Sequence, residues 1–348
     1  MKLNEKRSKL LLVTFISLGL IISAIWLIIL VIEKIDKGNN KIVIGYCADN
    51  LVIERWQRDQ EIFRTKAIEL GAEVIVYNAN ENNETQNRQI RMLIDQKVDV
   101  IVVVPYEKDG ITEAINEARK AGIKVIAYDR LITGVTIDAY ISFDNVKVGA
   151  LQTASLIEQA PEGNYVIING SPEDNNSYMF NDGYMSILED YIRYGEIDII
   201  EEIWAEDWRE EPAYDLISSL IEEGKQIDAI IGANDRLAEA AIRALAEAGQ
   251  AGTVFVAGHD ADISACQRIV EGTQHVTIYK PIKKLAEAAA ILAIDLAKGQ
   301  ELNKDETINN GVADIPYIKL DVMTVTKETM METVVADGFH RKEDIYRE

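Results

Sequence analysis

Short apolar runs rich in β-branched residues alternate with amphipathic stretches along most of the chain. The runs predict strands at residues 42–47, 73–77, 98–104, 124–128, 165–169, 199–204, 228–232, 254–257 and 276–279. Apolar positions at helical spacing predict helices that include 55–70, 84–96, 110–121, 146–159, 236–248 and 282–297. Near-continuous hydrophobic strands separated by helices are typical of parallel sheets covered on both faces. So many strands exceed one comfortable open sheet, and the pattern therefore predicts an α/β fold of two doubly wound, Rossmann-like lobes.

One apolar stretch is longer than the others. Residues 10–32 carry no charge, and as a helix they would be about 34 Å long, which is enough to span a bilayer. Residues 1–9 are basic, so the positive-inside rule predicts a cytoplasmic tail there and an extracellular or periplasmic location for everything after residue 33. We expect an uncleaved transmembrane anchor at 10–32 and a linker at 33–40, which makes a single-pass protein of the cell membrane. A cleaved signal, which has a shorter apolar region and small residues at its cleavage site, is the alternative.

The net charge argues against a nucleic-acid partner, and the cysteine content argues against a disulfide framework or a cysteine metal site. The net charge of −22 leaves no basic surface for phosphate contacts, so we predict no nucleic-acid partner. A DNA-binding repressor would also carry a basic helix-turn-helix at its N-terminus, where the apolar stretch stands instead. Cys47 and Cys266 are too few for a disulfide framework and lack metal-ligand spacing, so we expect buried free thiols.

Catalytic motifs are missing from the sequence. It contains no Walker A sequence, no GxGxxG after a strand and no nucleophile elbow. Its three histidines do not readily assemble a metal cluster or a catalytic triad. A sugar isomerase or dehydrogenase would need a metal cluster or a dinucleotide loop. We therefore expect no enzyme activity, no cofactor and no metal.

Polar and aromatic side chains follow the predicted strands in both halves of the chain. Ligands of open α/β sheets bind just beyond the carboxyl ends of the strands. The candidate ligand-binding residues at these places are Arg55, Trp56, Asp129, Arg130, Asn176, Trp208, Asn234, Asp260 and Lys280. Carboxylates, amides and guanidinium groups together satisfy hydroxyls that both donate and accept, and flat aromatic rings cover the C–H faces of a sugar. The set is therefore typical of a site for a polyhydroxyl ligand.

Several of these residues also fit ordinary structural roles. Asp129 and Asn234 are equally well explained as helix N-caps. Trp56 and Trp208 are equally well explained as core or interface residues. The neighbours Asp129 and Arg130 would also make a common and weak surface ion pair. These alternatives stay open, but the nine residues taken together are stronger evidence for a binding site than any one of them.

Lys280 is harder to explain as a structural residue. A lysine before Pro281, at the start of a helix, is a poor cap and lies at the unfavourable end of the helix dipole. We therefore expect an anionic or hydroxyl-rich group to compensate it. His259 also follows a strand, and we interpret it as a satisfied neighbour, with a place in the lining of the cleft as the alternative.

The same residues carry a family likeness. The stretches LVIERWQRDQEIF, KVIAYDR, GNYVIINGSPEDNN, IDAIIGAND, TIYKPI and DGFHRKE occur in this order between residue 41 and about residue 342. The chain resembles the periplasmic type I sugar-binding proteins, and among them those that bind D-xylose for ABC transport. The resemblance implies stacking of Trp56 and Trp208 on the pentose. It also implies hydrogen bonds to the pentose from Arg55, Asp129, Arg130, Asn176, Asn234, Asp260 and Lys280.

The resemblance further implies two lobes that close on the sugar about a three-stranded hinge. Crossings near residues 146, 278 and 317 then divide the chain into an N-terminal lobe of 41–145 plus 279–316 and a C-terminal lobe of 146–278 plus 317–342. His259 stands where an amide is expected beside Asp260, which leaves fine specificity open. Because the predicted anchor prevents free diffusion, we expect an extracytoplasmic D-xylose-binding protein that reports the sugar to a membrane sensor histidine kinase. Delivery of xylose to an ABC permease is the alternative.

Overall fold

The computed structural model describes residues 41–51, 54–303 and 305–347. The predicted tail, anchor and linker at 1–40 lie outside the described residues. Within those ranges, no helix is both long enough and apolar enough to cross a bilayer. Residues 43–348 make up one compact unit, and the fold below is that of this unit.

The first sheet has seven strands and begins with the doubly wound order 2-1-3-4-5. Its strands, in chain order, are β1 (Val43–Ala48), β2 (Glu73–Asn78), β3 (Val100–Val103), β4 (Lys124–Tyr128), β5 (Ala139–Phe143), β11 (Thr307–Asn309) and β12 (Asp314–Leu320). All neighbours are parallel except the β11–β12 hairpin. Every residue of β3 and β5 is buried, so both faces of the sheet are covered. The covering helices are α1 (Glu54–Glu69), α2 (Asn83–Asp95), α3 (Thr112–Lys120) and α9 (Ile282–Ala297).

The second sheet repeats this arrangement with six strands. It contains β6 (Gly163–Asn169), β7 (Ile197–Trp204), β8 (Ala229–Gly232), β9 (Phe255–His259), β10 (Val276–Tyr279) and β13 (Met323–Val325), and only β13 is antiparallel to its neighbour. Its helices are α4 (Asn145–Ile157), α5 (Asn175–Tyr194), α6 (Glu211–Glu222), α7 (Asp235–Glu247) and α8 (Ile263–Glu271). A short C-terminal helix, α10 (Lys342–Tyr346), packs beside α8. Two doubly wound lobes, as predicted, are therefore confirmed.

Every strand and helix predicted individually is present, with ends that shift by no more than two residues. The alternation of strands and helices did not reveal β5, because a loop at 129–138 joins it to β4 without a helix. The short strands β11 and β13 and the edge-proximal β12 were also missed, because most of their residues are exposed or only partly buried and they lack a continuous apolar run.

Three segments join the lobes. The chain crosses at Asp144 between β5 and α4, at residues 280–281 between β10 and α9, and at residues 321–322 between β12 and β13. The predicted crossing near residue 317 is corrected to 321–322. Residues 317–320 pair with β5 in parallel register, so they belong to the first sheet and not to the C-terminal lobe.

Candidate functional site

Loops beyond the carboxyl ends of strands from both sheets line one cleft between the lobes. All nine residues predicted from the sequence line this cleft. The carboxyl ends of parallel strands lie at the same edge of their sheet. Side chains that directly follow different strands therefore meet in space, although they are far apart in the sequence. Contact of these nine residues with a ligand remains a prediction.

Arg55 lies in the first turn of α1 and has three carboxylates around its guanidinium group. One terminal nitrogen donates to Asp129, and the other lies 3.4 Å from Oδ1 of Asp260 in the second lobe. Its Nε lies 3.6 Å from Oδ2 of Asp59, one helical turn further along α1. Burial lowers the pKa of Arg55, but the three carboxylates outweigh this effect and raise it above its ordinary value. The side chain is therefore a fixed positive charge that bridges the two lobes.

Arg130 makes a second set of ion pairs across the cleft. Its Nη1 lies 3.0 Å from Asp49 of the first lobe, and its Nε lies 2.8 Å from Asp174 of the second lobe. Burial raises the pKa of both Asp49 and Asp174, and Arg130 opposes that shift. Asp129 and Arg130 are thus largely buried and each pairs with other residues. The interpretation of these two neighbours as a surface ion pair is wrong.

Lys280 is buried and its Nζ lies 2.7 Å from Oδ1 of Asp260. Burial alone would raise the pKa of Asp260, but the neighbouring cations Lys280 and Arg55 hold it below its usual range. The anionic partner expected for Lys280 is therefore confirmed. Burial, assisted by Lys280, lowers the pKa of His259 well below its ordinary value, so this imidazole is neutral. Its ring packs against Phe180 with the ring centres 4.5 Å apart.

The two asparagines of the site are held in different ways. Asn234 is the N-cap of α7, because its Oδ1 accepts the backbone N–H of Leu237 at 2.9 Å, and it lines the cleft as well. Asn176 donates from Nδ2 to the Asp129 carbonyl at 3.1 Å and accepts at Oδ1 from the Tyr140 hydroxyl at 3.1 Å. Asp129 itself caps no helix, since the loop at 129–138 follows it.

A tryptophan from each lobe supplies apolar surface. The Trp56 ring is buried, with the guanidinium groups of Arg55 and Arg130 at 4.5 and 5.6 Å from it. The six-membered ring of Trp208 lies directly on the backbone of Gly170, where any Cβ atom would overlap it. Trp208 also packs against the core of the second lobe, so its structural and cleft-lining roles coexist.

The cleft contains further residues that were not among the predicted ones: Asp49, Asn50, Glu81, Tyr106, Ser171, Glu173, Asp174, Phe180, Asp207, Arg236, His259 and Asp262. Several lie in the same strand-end loops, so a wider reading of those loops would have found Ser171 and Asp174. Phe180 carries no such signal, because a phenylalanine inside α5 looks like an ordinary core residue.

The chemistry of the cleft suits a small neutral polar solute. The buried cations are each paired with carboxylates, and no cluster of metal-ligating side chains occurs among the described residues. Both cysteines are buried free thiols, as predicted. Two α/β lobes around a cleft of paired charges and flanking tryptophans define the class of two-lobed solute-binding proteins.

The comparisons with known proteins agree with this class. A family model described as the periplasmic binding protein domain matches residues 44–301, and the chain belongs to this family. Its described domain is therefore extracytoplasmic. The chain is 43% identical over 304 residues to the D-xylose-binding periplasmic protein of Haemophilus influenzae, covering 87% of this chain and 92% of that protein. It is 42% identical over 317 residues to the Escherichia coli protein of the same description, covering 91% and 96%.

A solved structure shares the fold. The carbohydrate transporter solute-binding protein of Chloroflexus aurantiacus, in complex with D-glucose, superimposes with a TM-score of 0.81 at 25% identity over 88% of this chain and 98% of that one. These relatives are described as binding proteins and not as enzymes. The prediction that the chain is not an enzyme is thereby confirmed.

Proposed function

We propose that this protein binds D-xylose in the cleft and delivers it to an ABC transporter. The observation that carries the proposal is the meeting of all nine candidate residues in one cleft between two lobes. The two relatives described as D-xylose-binding proteins support the choice of sugar, since each covers almost nine tenths of the chain or more. The solved relative described as a carbohydrate transporter component supports the transport role.

The proposed roles follow from the chemistry of each group. The carboxylates of Asp129 and Asp260 accept from sugar hydroxyls, and the cations Arg55, Arg130 and Lys280 donate to them. The amides of Asn176 and Asn234 do both. The rings of Trp56 and Trp208 cover the two apolar faces of the pentose. Because the buried polar groups would be left unpaired by a ligand that lacks a hydroxyl, the site discriminates against such analogues.

We prefer the role in which the protein delivers xylose to a transporter over the role in which it reports xylose to a sensor kinase. The sensor role rests only on the anchor predicted at residues 10–32, which lies outside the described residues, and the relatives give it no support. The anchor itself stays part of the proposal, with the mass of the protein extracted from membranes as its measurement. Loss of about the first thirty residues would contradict the anchor, and it would leave the binding proposal unaffected.

Calorimetry of the full chain against a panel of sugars tests the binding proposal. We expect tight binding of D-xylose and much weaker binding of D-glucose, because a filled cleft has no room for the extra hydroxymethyl group. Equal or tighter binding of the hexose would contradict the assignment of xylose. For the transport role, a pull-down from membranes with D-xylose present should recover a transporter permease, and recovery of a sensor kinase alone would favour the other role.

A further inference from the structure

The turn that presents Asp260 to the cleft has an unusual backbone. Asp260 has a φ of 101° and Ala261 has a φ of 55°. Residues with a side chain seldom adopt these left-handed conformations, and two in succession persist only where the surroundings hold them. The contacts of this turn therefore decide where the Asp260 carboxylate points.

The three backbone amides at residues 260–262 are all hydrogen-bonded within the second lobe. Their acceptors, in order, are the Ile278 carbonyl, the Thr277 hydroxyl and the Asp235 carboxylate, at 3.0, 3.1 and 3.0 Å. Asp235 is itself buried, with Gln274 and Thr277 also donating to it. The amide side of the turn is thus fixed by β10 and by the start of α7.

The carbonyl side of the turn is held from much further along the chain. His340 Nε2 lies 2.7 Å from the Ala261 carbonyl oxygen. Because a carbonyl oxygen only accepts, Nε2 carries the proton and donates. The Cys266 thiol also donates to this oxygen, at the longer distance of 3.6 Å. We call residues 337–340, the segment that ends in His340, the C-terminal brace.

The C-terminal brace contacts the first lobe as well. Arg58 of α1 donates from Nη2 to the Phe339 carbonyl at 3.2 Å, and its guanidinium carbon lies 4.8 Å from the centre of the Phe339 ring. Asp337 accepts the Tyr279 hydroxyl at 2.5 Å, which ties the brace to β10. The described lining of the cleft includes no residue of the brace. The brace therefore connects the helix that carries Arg55 with the turn that carries Asp260, from outside the cleft.

We propose that the C-terminal brace positions the Asp260 carboxylate for the ligand and that His340 is the positioning residue through which it acts. The inference rests on the proposed function, because Asp260 is taken as a sugar-binding residue. Without the His340 donor, the Ala261 carbonyl loses its shortest hydrogen bond and the turn relaxes towards ordinary φ values. Asp260 then moves relative to its partners Lys280 and Arg55.

Two substitutions separate the hydrogen bond from the packing of the ring. His340→Phe keeps an aromatic ring beside Phe339, whose centre lies 4.4 Å from that of His340, but removes the donor. His340→Gln places an amide nitrogen near the position of Nε2 and restores it. We expect calorimetry to show a loss of D-xylose affinity of about tenfold in His340→Phe and near-normal affinity in His340→Gln. His275→Phe, which changes a histidine packed on Phe255 in the same lobe, is the matched control and should leave affinity unchanged.

Hydrogen exchange in the absence of sugar gives a second readout. The amides at 260–262 should exchange faster in His340→Phe than in the unsubstituted protein, and should be protected again in His340→Gln. Unchanged exchange and unchanged affinity in His340→Phe would overturn the inference. Failure of the unsubstituted protein to bind D-xylose would instead overturn the proposed function, while the exchange result would still test the brace.

A double substitution asks whether His340 acts through Asp260. In an Asp260→Asn background, His340→Phe should cost much less affinity than it does alone, because the group it positions is already altered. An undiminished loss in that background would refute the proposed route. If His340→Phe does not fold, His340→Asn supplies the same contrast with His340→Gln, because its shorter amide does not reach the Ala261 carbonyl. Equal affinity of the asparagine and glutamine variants would then count against the brace.

Discussion

The hydroxyl of Tyr106 donates a hydrogen bond to Oδ1 of Asp207 at 2.9 Å. Tyr106 follows β3 in the first lobe, and Asp207 lies in a 3₁₀ turn at Glu206–Trp208 in the second. Lys108 makes a neighbouring contact between the lobes, since its Nζ donates to the Pro172 carbonyl at 2.7 Å. Both Tyr106 and Asp207 line the cleft at its partly exposed rim. These contacts therefore hold the lobes together without belonging to the candidate sugar-binding residues.

Removal of this hydrogen bond should speed the release of ligand. For Tyr106→Phe we expect the D-xylose dissociation rate to rise about two- to twelvefold, because one hydrogen bond at a partly exposed site contributes about 0.5–1.5 kcal/mol. The association rate should change little, since the contact forms after the lobes approach each other. Stopped-flow tryptophan fluorescence measures both rates. Tyr194→Phe, at an exposed tyrosine remote from the cleft, is the control, and equal dissociation rates in all three proteins would contradict a role for the Tyr106 contact.

The residues that the sequence revealed and those that it missed differ for a physical reason. Asp129 and Asp260 directly follow strands, and Asn234 follows one after a single intervening residue. The carboxyl edge of a parallel sheet brings such residues together whatever the details of packing. Tyr106 and Asp207 meet only because the two lobes approach each other, and no local pattern encodes that approach. The positive φ values of Asp260 and Ala261 were equally hidden, because the residues that hydrogen-bond to this turn, such as His340, lie far from it in the sequence.

The close packing of the Trp208 ring on Gly170 makes a substitution at this glycine informative. In Gly170→Ala, the new methyl group would overlap the Trp208 ring and the Ser177 hydroxyl, so the ring must move. We expect D-xylose affinity to fall at least about tenfold, which corresponds to about 1.4 kcal/mol, and we expect the tryptophan emission spectrum to shift.

Gly224→Ala is the matched control for this substitution. It strains a backbone at a φ of 70° in an open position, so it should lower the Tm without changing the affinity. Calorimetry that finds the same affinity in Gly170→Ala as in the unsubstituted protein would show that Trp208 is not a stacking residue.

The pair formed by Lys280 and Asp260 should matter for stability as well as for binding. Lys280→Met leaves the Asp260 carboxylate with Arg55 as its remaining cation within 4 Å, at 3.4 Å. Loss of one partner of a fully buried pair costs about 3–5 kcal/mol. Asp260 keeps Arg55 and is 19% exposed, so we expect about 2–3 kcal/mol in the free energy of unfolding measured with urea.

A second substitution separates charge from packing in this prediction. Lys280→Met combined with Asp260→Asn removes the stranded charge, so the double variant should recover part of the lost stability. D-xylose binding should stay weak in both variants, because each lacks groups proposed to contact the sugar. A double variant that is less stable than Lys280→Met alone would contradict the charge explanation.

The carboxyl of Asp59, one helical turn after Arg55 in α1, has an unusual pKa. It is fully buried in α1, accepts the Tyr128 hydroxyl at 2.9 Å and lies 3.6 Å from Nε of Arg55. Burial raises its pKa to about 7, with Asp129 adding to the rise, while Arg55, Tyr128 and Lys280 oppose it. Because its pKa in the unfolded chain is about 3.9, the folded state favours the protonated carboxyl.

This difference predicts how stability depends on pH. The contribution of a carboxyl whose folded pKa is raised is fully present below about pH 4 and is lost as pH rises through about 7. The amide introduced by Asp59→Asn cannot titrate, so between about pH 5 and pH 8 the unsubstituted protein should lose about 2–3 kcal/mol of unfolding free energy relative to that variant. Urea unfolding at several pH values measures this. Asp262, whose pKa is raised to about 6 chiefly by burial, titrates in both proteins and cancels in the comparison. Parallel pH profiles would show that Asp59 is ionised throughout.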